Sequence, residues 1–536
     1  MSLLGPMVIQ CLAWLSLAAL PGQEELAEVS ATSAETPTTL AIPADHPDWW
    51  SKVPRGPPAV RLGFFPIPIK TGDEFYSGID WLRGMERPRQ PATAWAPILP
   101  GLQPIFELDF RKVEPPGDDR SFPVLDEMKR IPVGDNWLLA TGGEMRYRFT
   151  NEGNARLRPI DNSYDLYRTR LFADIWYHDT FRIYAEFITA EIWNNDLPPV
   201  LPDKDPADFL DLFAEMKLLE TNDAPLVVRF GRQELLLGSQ RLITTADWSN
   251  TRRTFQGARM MHLGDTNSLN MFWVQPVIPD PNGWGWAETS CNFSGIWWTH
   301  RPDAEHSVDL YALWYSNTKP FVEQGGTPIP RGNFATLGAR ATGNDNDWLY
   351  DFEAALQQGI IYNGQPLTAG MATVNLGRRF ENLPLEPVVW LNYDYASGSE
   401  TFRTGSSNTF QQLFPFGHYY LGWCDLVGRQ NIHDVSQVAY LNPAPWITCM
   451  LQHHNFWLAS ARDALYFANG QPGRLSRNGS AGTYVGKEYN LIFSFHLGPR
   501  TDLMSGWSKL YGGDFLRGTG KVSDSSATFV QMSFKF

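Results

Sequence analysis

Over residues 136–536, short segments alternate polar and apolar side chains, and this pattern constrains the fold more than any other feature of the sequence. In the segment YRTRLFADIWY, Leu171 and Ile175 fall on one face of an extended strand. Arg168 and Arg170 fall on the other face. A period of two with one apolar face is what a barrel with lipid outside and water inside requires. A soluble β-sandwich produces the same alternation, so the pattern predicts an all-β fold and leaves both architectures open.

Three further features favour a membrane barrel over a soluble sheet. Beyond the N-terminus no segment reaches the roughly 18 apolar residues of a helical membrane span. The chain contains 21 Trp, and aromatic residues make up 13% of it, as expected if they form girdles at both membrane interfaces. The last segment is apolar on one face and ends in Phe536. We therefore predict an antiparallel transmembrane β-barrel.

The length of the barrel region sets the strand number. A membrane strand needs roughly 9–11 residues, and bacterial single-chain barrels have even strand counts. With external loops added, residues 136–536 accommodate 16–18 strands.

The first 135 residues are interpreted as two segments that precede the barrel. Met7–Leu20 is an apolar run with the length of a signal-peptide core, followed by Pro21 and Gly22. No Lys or Arg precedes this run, which is atypical. We assign residues 1–22 to a signal peptide and residues 23–135 to a Pro-rich periplasmic extension and lead-in. Prolines make a regular central strand improbable there, so we expect residues 23 to about 100 to lie outside the barrel wall.

The residue types of enzyme and cofactor sites do not form recognisable motifs. The sequence has no phosphate-binding loop, Cys-x-x-Cys pair or nucleophile elbow. Carboxylates such as Asp247, Glu186 and Glu191 carry no hydrolase motif, and adjacent His453 and His454 would point to opposite faces of a strand. The net charge of −14 does not favour nucleic acid. We predict no enzymatic activity, no cofactor and no metal.

The stretch 226–259 concentrates positive charge where two strands and their connecting loop are predicted. An apolar, β-prone run begins at Leu226, Gly231 and Gly238 interrupt it, and the next strand is predicted to begin near Phe255. Six arginines and no lysine fall in these residues. The planar guanidinium fits a carboxylate at two points, which a Lys ammonium does not. In a closed barrel these arginines would crowd one side of the lumen.

The same stretch resembles the signature of the alginate-export family of outer-membrane porins. RFGRQELLLGSQRL followed by DWSNTRRTFQGAR matches the family pattern, and looser similarity extends from about Trp137 to the C-terminus. The matching residues are Gly231, Arg232, Gln233, Glu234, Leu235, Gly238, Arg241, Leu242, Trp248, Asn250, Arg253, Phe255 and Gly257.

This resemblance implies an eighteen-stranded outer-membrane channel for export of an anionic, alginate-like exopolysaccharide through an arginine-lined pore. Implied partners are the anionic polysaccharide, outer-membrane lipid and periplasmic secretion-complex proteins. The candidate pore-lining residues are Arg168, Arg170, Arg182, Arg229, Arg232, Arg241, Arg252, Arg253 and Arg340.

Two alternatives to polymer export stay open at the level of sequence. The same barrel could serve as a general or small-solute porin, and a soluble exported carbohydrate-active or structural protein would also show β alternation. Each candidate arginine could instead pair with a neighbouring carboxylate. Asp174, Glu186 and Glu234 are close enough in sequence to neutralise such a ring.

Overall fold

The computed structural model describes residues 78–82, 105–107, 128–129 and 131–536. The last range has short gaps, at 222–223, 265, 304, 324–326, 330, 363, 381, 445 and 499–500. The predicted signal peptide and most of the predicted extension lie outside the described residues.

Eighteen long antiparallel strands in the described part of the chain form one sheet that closes on itself. Closure follows from the first strand, which pairs with both the second and the last: Glu144 lies opposite Arg170 on one side and Lys535 on the other. The predicted antiparallel all-β barrel is confirmed, with the strand count at the upper end of the predicted range. The strands are β1 Trp137–Gly153, β2 Asn162–Tyr177, β3 Phe181–Trp193, β4 Asp205–Leu219, β5 Leu226–Gln233, β6 Phe255–Leu263, β7 Asn267–Ile278, β8 Cys291–His300, β9 His306–Asn317, β10 Gly332–Asp345, β11 Trp348–Ile361, β12 Gln365–Arg379, β13 Val388–Ala396, β14 Ile432–Ala444, β15 Ile447–Leu458, β16 Tyr484–Gly498, β17 Thr501–Gly512 and β18 Ser525–Lys535.

In addition to the eighteen long strands, the described residues contain short helices, turns and strands. The α-helices in the described residues are α1 Gly78–Leu82, α2 Gly417–Tyr420 and α3 Asp514–Thr519. None of them has the length and apolar character needed to cross a membrane. The 3-10 turns are Ile105–Glu107, Ala155–Leu157 and Leu201–Asp203, and the minor strands are Ile131–Val133, Trp286–Ala287, Phe321–Glu323, Thr327–Ile329, Ala464–Tyr466 and Pro472–Leu475.

The two faces of the wall follow the predicted alternation. Leu171 on β2 and Leu356 on β11 point outward, with 47% and 72% of their surfaces exposed. Arg168 and Arg170, which precede Leu171 by three residues and one residue, point inward and are buried. An apolar outer face and a polar inner face are typical of strands that cross a bilayer.

The barrel has a turn end and a loop end. Residues 178–180 and 346–347 are examples of the short connections at the turn end, where β1 begins and β18 ends. Most connections at the opposite end are longer, residues 362–364 being an exception, and three of them fold into the lumen. We call these loop A (234–254), loop B (397–431) and loop C (459–483).

The main hydrophobic core lies inside the loop half of the lumen, where the three loops pack on one another and on the wall. Ile243 of loop A forms a parallel bridge with Phe414 of loop B, and both are completely buried. Leu465 of loop C belongs to the same core. Gly238 of loop A has φ +55° and lies so close to the Trp297 ring that a side chain there would collide with it. The interior of this barrel is therefore largely filled by its own loops.

Candidate functional site

The tip of loop A is held against the wall by a network of guanidinium groups around Asp247. Arg168 Nη2 lies 2.8 Å from the Asp247 carboxylate, Arg146 lies 3.4 Å from it, and Arg252 also forms an ion pair with it. Arg146 further donates to the backbone carbonyls of Asp247 at 2.6 Å and Ser249 at 2.8 Å. Because Arg146 and Arg168 belong to β1 and β2, these contacts pin the loop across the lumen.

Carboxylates of the wall and of loop A balance the remaining charge of this network. Arg168 donates to Glu144 at 2.6 Å, and Arg170 forms an ion pair with Glu186. The side chain of Arg252 forms an ion pair with Glu234 at the start of loop A. The network therefore contains one carboxylate for each guanidinium.

A second group of predicted arginines lies nearer the turn end. Arg182 on β3 makes two hydrogen bonds to Asp174, at 2.7 and 2.9 Å. Arg229 on β5 pairs with Glu215 at 2.6 Å. Arg259, opposite Arg229 on β6, donates to an amide oxygen of the next strand.

A third group lies against β9, β10 and β11. Arg241 of loop A reaches Asp351 at 3.2 Å and Glu353 at 2.9 Å. Arg340 on β10 shares Asp351, at 2.9 Å. Asp309 on β9 lies 3.4 Å from Arg340. These ion pairs attach the first half of loop A to the wall.

The structure thus distributes eight of the nine predicted arginines over several places on the inner side of the barrel, whereas Arg232 lies opposite the outward-facing Leu212. Arg168, Arg170 and Arg252 come together, as do Arg182 with Arg229 and Arg241 with Arg340. Arg232 stands apart and pairs with Asp208 at 2.7 Å. Arg253 donates to the Phe414 carbonyl at 2.9 Å and so joins loop A to loop B.

A cavity of about 250 Å³, here called the vestibule, opens at the loop end between loops A, B and C. Its wall includes Arg148, whose guanidinium stacks 3.8 Å from the centre of the Trp248 ring and donates to the Trp248 carbonyl at 2.8 Å. No carboxylate among the described residues lies within ion-pair distance of Arg148. His418 of loop B stacks on the same Trp248 ring, with centroids 4.1 Å apart.

Burial also weakens the negative charge of the vestibule. Asp203, at the end of a 3-10 turn in the cavity wall, has its pKa raised by burial to about 6. A backbone hydrogen bond from Val200 lowers the pKa in part. The Asp203 carboxylate is therefore protonated, and loses its charge, at mildly acidic pH.

Residues 247–249 separate the vestibule from a much smaller cavity on the side of the turn end. The smaller cavity measures about 10 Å³ and is lined by Glu144, Arg146, Arg168 and Asp247, among others. A space of this size holds about one water molecule. The loop A tip therefore lies between these two cavities and restricts the lumen there.

Comparison with known proteins identifies the family. The sequence model for alginate export matches residues 138–530, which is most of the chain and nearly all of the barrel. The chain belongs to the alginate export family. No curated protein gives a significant match to this family member.

A solved outer-membrane protein shares the fold of this family member at low sequence identity. The Pseudomonas aeruginosa outer membrane protein OpdK aligns with a TM-score of 0.50 and 11% identity, covering 74% of this chain and 98% of that chain. Pseudomonas aeruginosa OpdO aligns with a TM-score of 0.48 and 12% identity, covering 74% and 97%.

This member of the alginate export family is a channel of the outer membrane, as its family and its closed barrel together show. The short turns then face the periplasm and the long loops face the outside. The alternative of a soluble exported protein is wrong. The family and the fold are those of channels, which are not enzymes. The residues described by the structure contain no group of three or more His, Cys, Asp or Glu suited to a metal ion.

Two residues of this family member that line the cavities on either side of the loop A tip were missed by sequence reasoning. Arg146 and Arg148 occur in the segment MRYRF of β1, where alternate spacing places both on the inner face. That spacing is the signal that could have found them. Neither lies in the signature stretch, yet both contact residues 247–249 of that stretch.

Proposed function

We propose that this channel exports an acidic, uronate-containing exopolysaccharide of the alginate type, whose carboxylates bind lumenal guanidinium groups in succession. The observation that carries the proposal is Arg148, a buried guanidinium in the vestibule wall with no described carboxylate within ion-pair distance. A uronate carboxylate at this position would find a bidentate donor without first breaking an ion pair. Membership of the alginate export family supports the same substrate class.

The network around Asp247 suggests how a polymer carboxylate could pass the tip of loop A. Each guanidinium there already holds a carboxylate of the protein, so an incoming uronate would replace one carboxylate with another of similar chemistry. Such an exchange keeps the net free energy of binding small, because the guanidinium groups stay paired throughout. Selective conduction requires binding that is favourable on entry and weak enough for release.

Passage of a sugar chain further requires displacement of residues 247–249, since the adjoining cavity holds only about one water molecule. Arg146 and Arg148 of β1 hold these residues, because both donate hydrogen bonds to their backbone carbonyls. We propose that the polymer, delivered to the turn end by periplasmic secretion proteins, competes for these guanidinium groups and moves the loop A tip.

A second candidate function is the conduction of small anionic solutes. The size of the vestibule favours it. Its volume of about 250 Å³ is close to the lower end of the roughly 300–1,000 Å³ typical of small-molecule sites, so it suits a small solute better than a long sugar chain. Under this alternative the loop A tip stays in place and only small solutes cross.

Block of single-channel current separates the two candidates. The purified full-length protein in a planar bilayer would be exposed to oligouronates, to a monomeric uronate and to neutral oligosaccharides of equal length. Polymer export predicts block by oligouronate at concentrations roughly tenfold below those of the neutral oligomer, since one charged hydrogen bond contributes about 1.5–3 kcal/mol. Equal block by monomer and oligomer would favour the small-solute channel. Equal block by charged and neutral oligomers would contradict the role given to the arginines.

A matched pair of variants tests whether Arg148 is responsible. Arg148→Gln removes the vestibule guanidinium and should abolish most of the preference for oligouronate. Arg517→Gln removes an arginine of α3 whose side chain is 58% exposed at the loop end, and should leave the preference unchanged.

A further inference from the structure

A short piece of the lead-in, Ile105–Glu107, lies inside the barrel. The Phe106 side chain is buried, with 2% of its surface exposed. Its ring packs edge-on against two inward-facing aromatic residues, Phe213 at 5.1 Å and Tyr184 at 5.6 Å between centroids. Tyr184 on β3 and Phe213 on β4 belong to the wall, so Phe106 occupies the lumen itself.

Two of the predicted pore arginines hold this segment. Arg182 Nη2 donates a 2.8 Å hydrogen bond to the Phe106 backbone carbonyl, and the Arg229 guanidinium lies 4.5 Å from the centre of the Phe106 ring. Both arginines keep their wall partners Asp174 and Glu215 at the same time. The segment therefore uses donors and ring faces that the wall ion pairs leave available.

The next residue brings a carboxylate to the same arginines. Glu107 lies within electrostatic reach of Arg259, Arg229, Arg252 and Arg182. Its Oε2 atom is buried, and no hydrogen-bond donor from the described residues reaches it. A carboxylate among guanidinium groups of the lumen is what an anionic solute would present there.

A second contact attaches the lead-in to the inner wall just before the barrel begins. The Met128 carbonyl accepts a 2.8 Å hydrogen bond from the Thr141 amide of β1. Lys129 is buried, with its ammonium group 5.1 Å from the Phe172 ring centre and bonded to the Thr141 carbonyl. Thr141 lies near the start of β1, so this contact places the lead-in at the turn end.

We propose that Phe106 and Glu107 form an internal plug, in which the chain's own lead-in occupies the pocket of Arg182, Arg229, Tyr184 and Phe213. The plug places an aromatic ring in the turn half of the lumen and a carboxylate beside its guanidinium groups. Among the described contacts, the Phe106 ring, the partly buried Ile105 side chain and one backbone hydrogen bond hold it, an interface small enough to exchange with a solute. The plug narrows the path for any ion, whichever substrate the channel carries.

Under the proposed function the plug gains a regulatory role. A uronate chain arriving from the periplasm would compete with Glu107 for the same guanidinium groups and release the segment from the pocket. This displacement rests on the proposed function, whereas the occlusion itself does not.

Ion conductance of the full-length protein tests the occlusion. The double variant Phe106→Ala, Glu107→Gln removes the ring and the charge and should raise the single-channel conductance in potassium chloride by roughly twofold or more, because the lumen widens at the plug. The matched control is Leu82→Ala, which truncates an exposed apolar residue of α1 in the same extension and should leave conductance unchanged. Heat-modifiable migration of each variant verifies that its barrel has folded.

Photocrosslinking provides an independent readout of the same contact. A photoreactive phenylalanine analogue at position 106 should crosslink to the β3 and β4 segments that contain Tyr184 and Phe213, and the analogue at position 82 should not. Wild-type conductance in the folded double variant, or no crosslink from position 106 to the inner wall, would overturn the plug. Either result leaves the uronate block experiment untouched, so the two proposals fail separately.

Discussion

Replacing Asp247 with Ala should release the tip of loop A from the wall. The carboxylate is shared by Arg146, Arg168 and Arg252, and 11% of its side chain is exposed. Breaking a buried ion pair by removing one partner costs about 3–5 kcal/mol. Arg168 keeps Glu144 at 2.6 Å and Arg252 keeps its own second carboxylate, so we expect the lower end of this range. A loss of about 3 kcal/mol shifts the ratio of displaced to pinned loop roughly hundredfold.

The ionisation of Asp247 adds a pH dependence to the same expectation. Burial raises the pKa of Asp247, but Arg168, Arg252 and Arg146 lower it more, and the net pKa falls well below the ordinary 3.8. A carboxylate with a lowered pKa stabilises the pinned loop at every pH above its ordinary pKa, and this stabilisation is lost only as pH falls through the lowered value. Conductance gated by this residue should therefore be flat from about pH 8 to about pH 5 in the wild type.

Planar-bilayer recording measures both effects. Asp247→Ala should show a larger fraction of open time and, with one lumenal negative charge removed, a reversal potential shifted toward anion selectivity. Asp514→Asn, which neutralises a loop-end carboxylate with 79% of its side chain exposed, is the matched control and should resemble the wild type. A folded Asp247→Ala channel with unchanged gating and unchanged selectivity would refute the view that this ion-pair network closes the path.

Three further predictions follow from single residues. Arg148→Gln should weaken oligouronate block roughly tenfold, because one charge-assisted donor is lost. The measurement is the oligouronate concentration that gives half block. An unchanged concentration would mean that Arg148 does not contact the oligouronate. Arg241→Ala leaves Glu353 without its cationic partner and Asp351 with Arg340 alone, so the free energy of unfolding should fall by about 3–5 kcal/mol in urea titrations. A loss below that of Arg517→Ala would contradict this. Leu356→Arg puts a charge on the lipid face and should destabilise folding into phospholipid bilayers by about 2 kcal/mol, whereas stability equal to the wild type would mean that this face does not meet lipid.

The wall of the barrel could be predicted because its rule is local. Alternate residues face opposite sides, so the inward direction of Arg168 and Arg182 and the start of β6 at Phe255 follow from adjacent sequence. The ion pairs of Arg182 with Asp174 and of Arg170 with Glu186 involve neighbouring strands joined by a short turn. Sequence reasoning raised Asp174 and Glu186 as possible partners of nearby arginines, without assigning the pairs.

The filling of the lumen could not be predicted, because its contacts join distant parts of the chain. Arg241 pairs with Asp351 across 110 residues, and Arg253 reaches the Phe414 carbonyl across 161 residues. No periodicity encodes such contacts. The same holds for Phe106, which lies in the lead-in beyond the residues expected outside the barrel wall, and whose docking on Tyr184 no local pattern indicates.

Flux through the channel tests the central proposal most directly. Proteoliposomes containing the full-length protein would be loaded with fluorescent oligouronates or with neutral oligosaccharides of equal length, and release would be followed over time. Export of an anionic polymer predicts faster release of the oligouronate and loss of that difference in Arg148→Gln. Equal rates for the two oligomers in the wild type, or release of monomeric uronate alone, would contradict it.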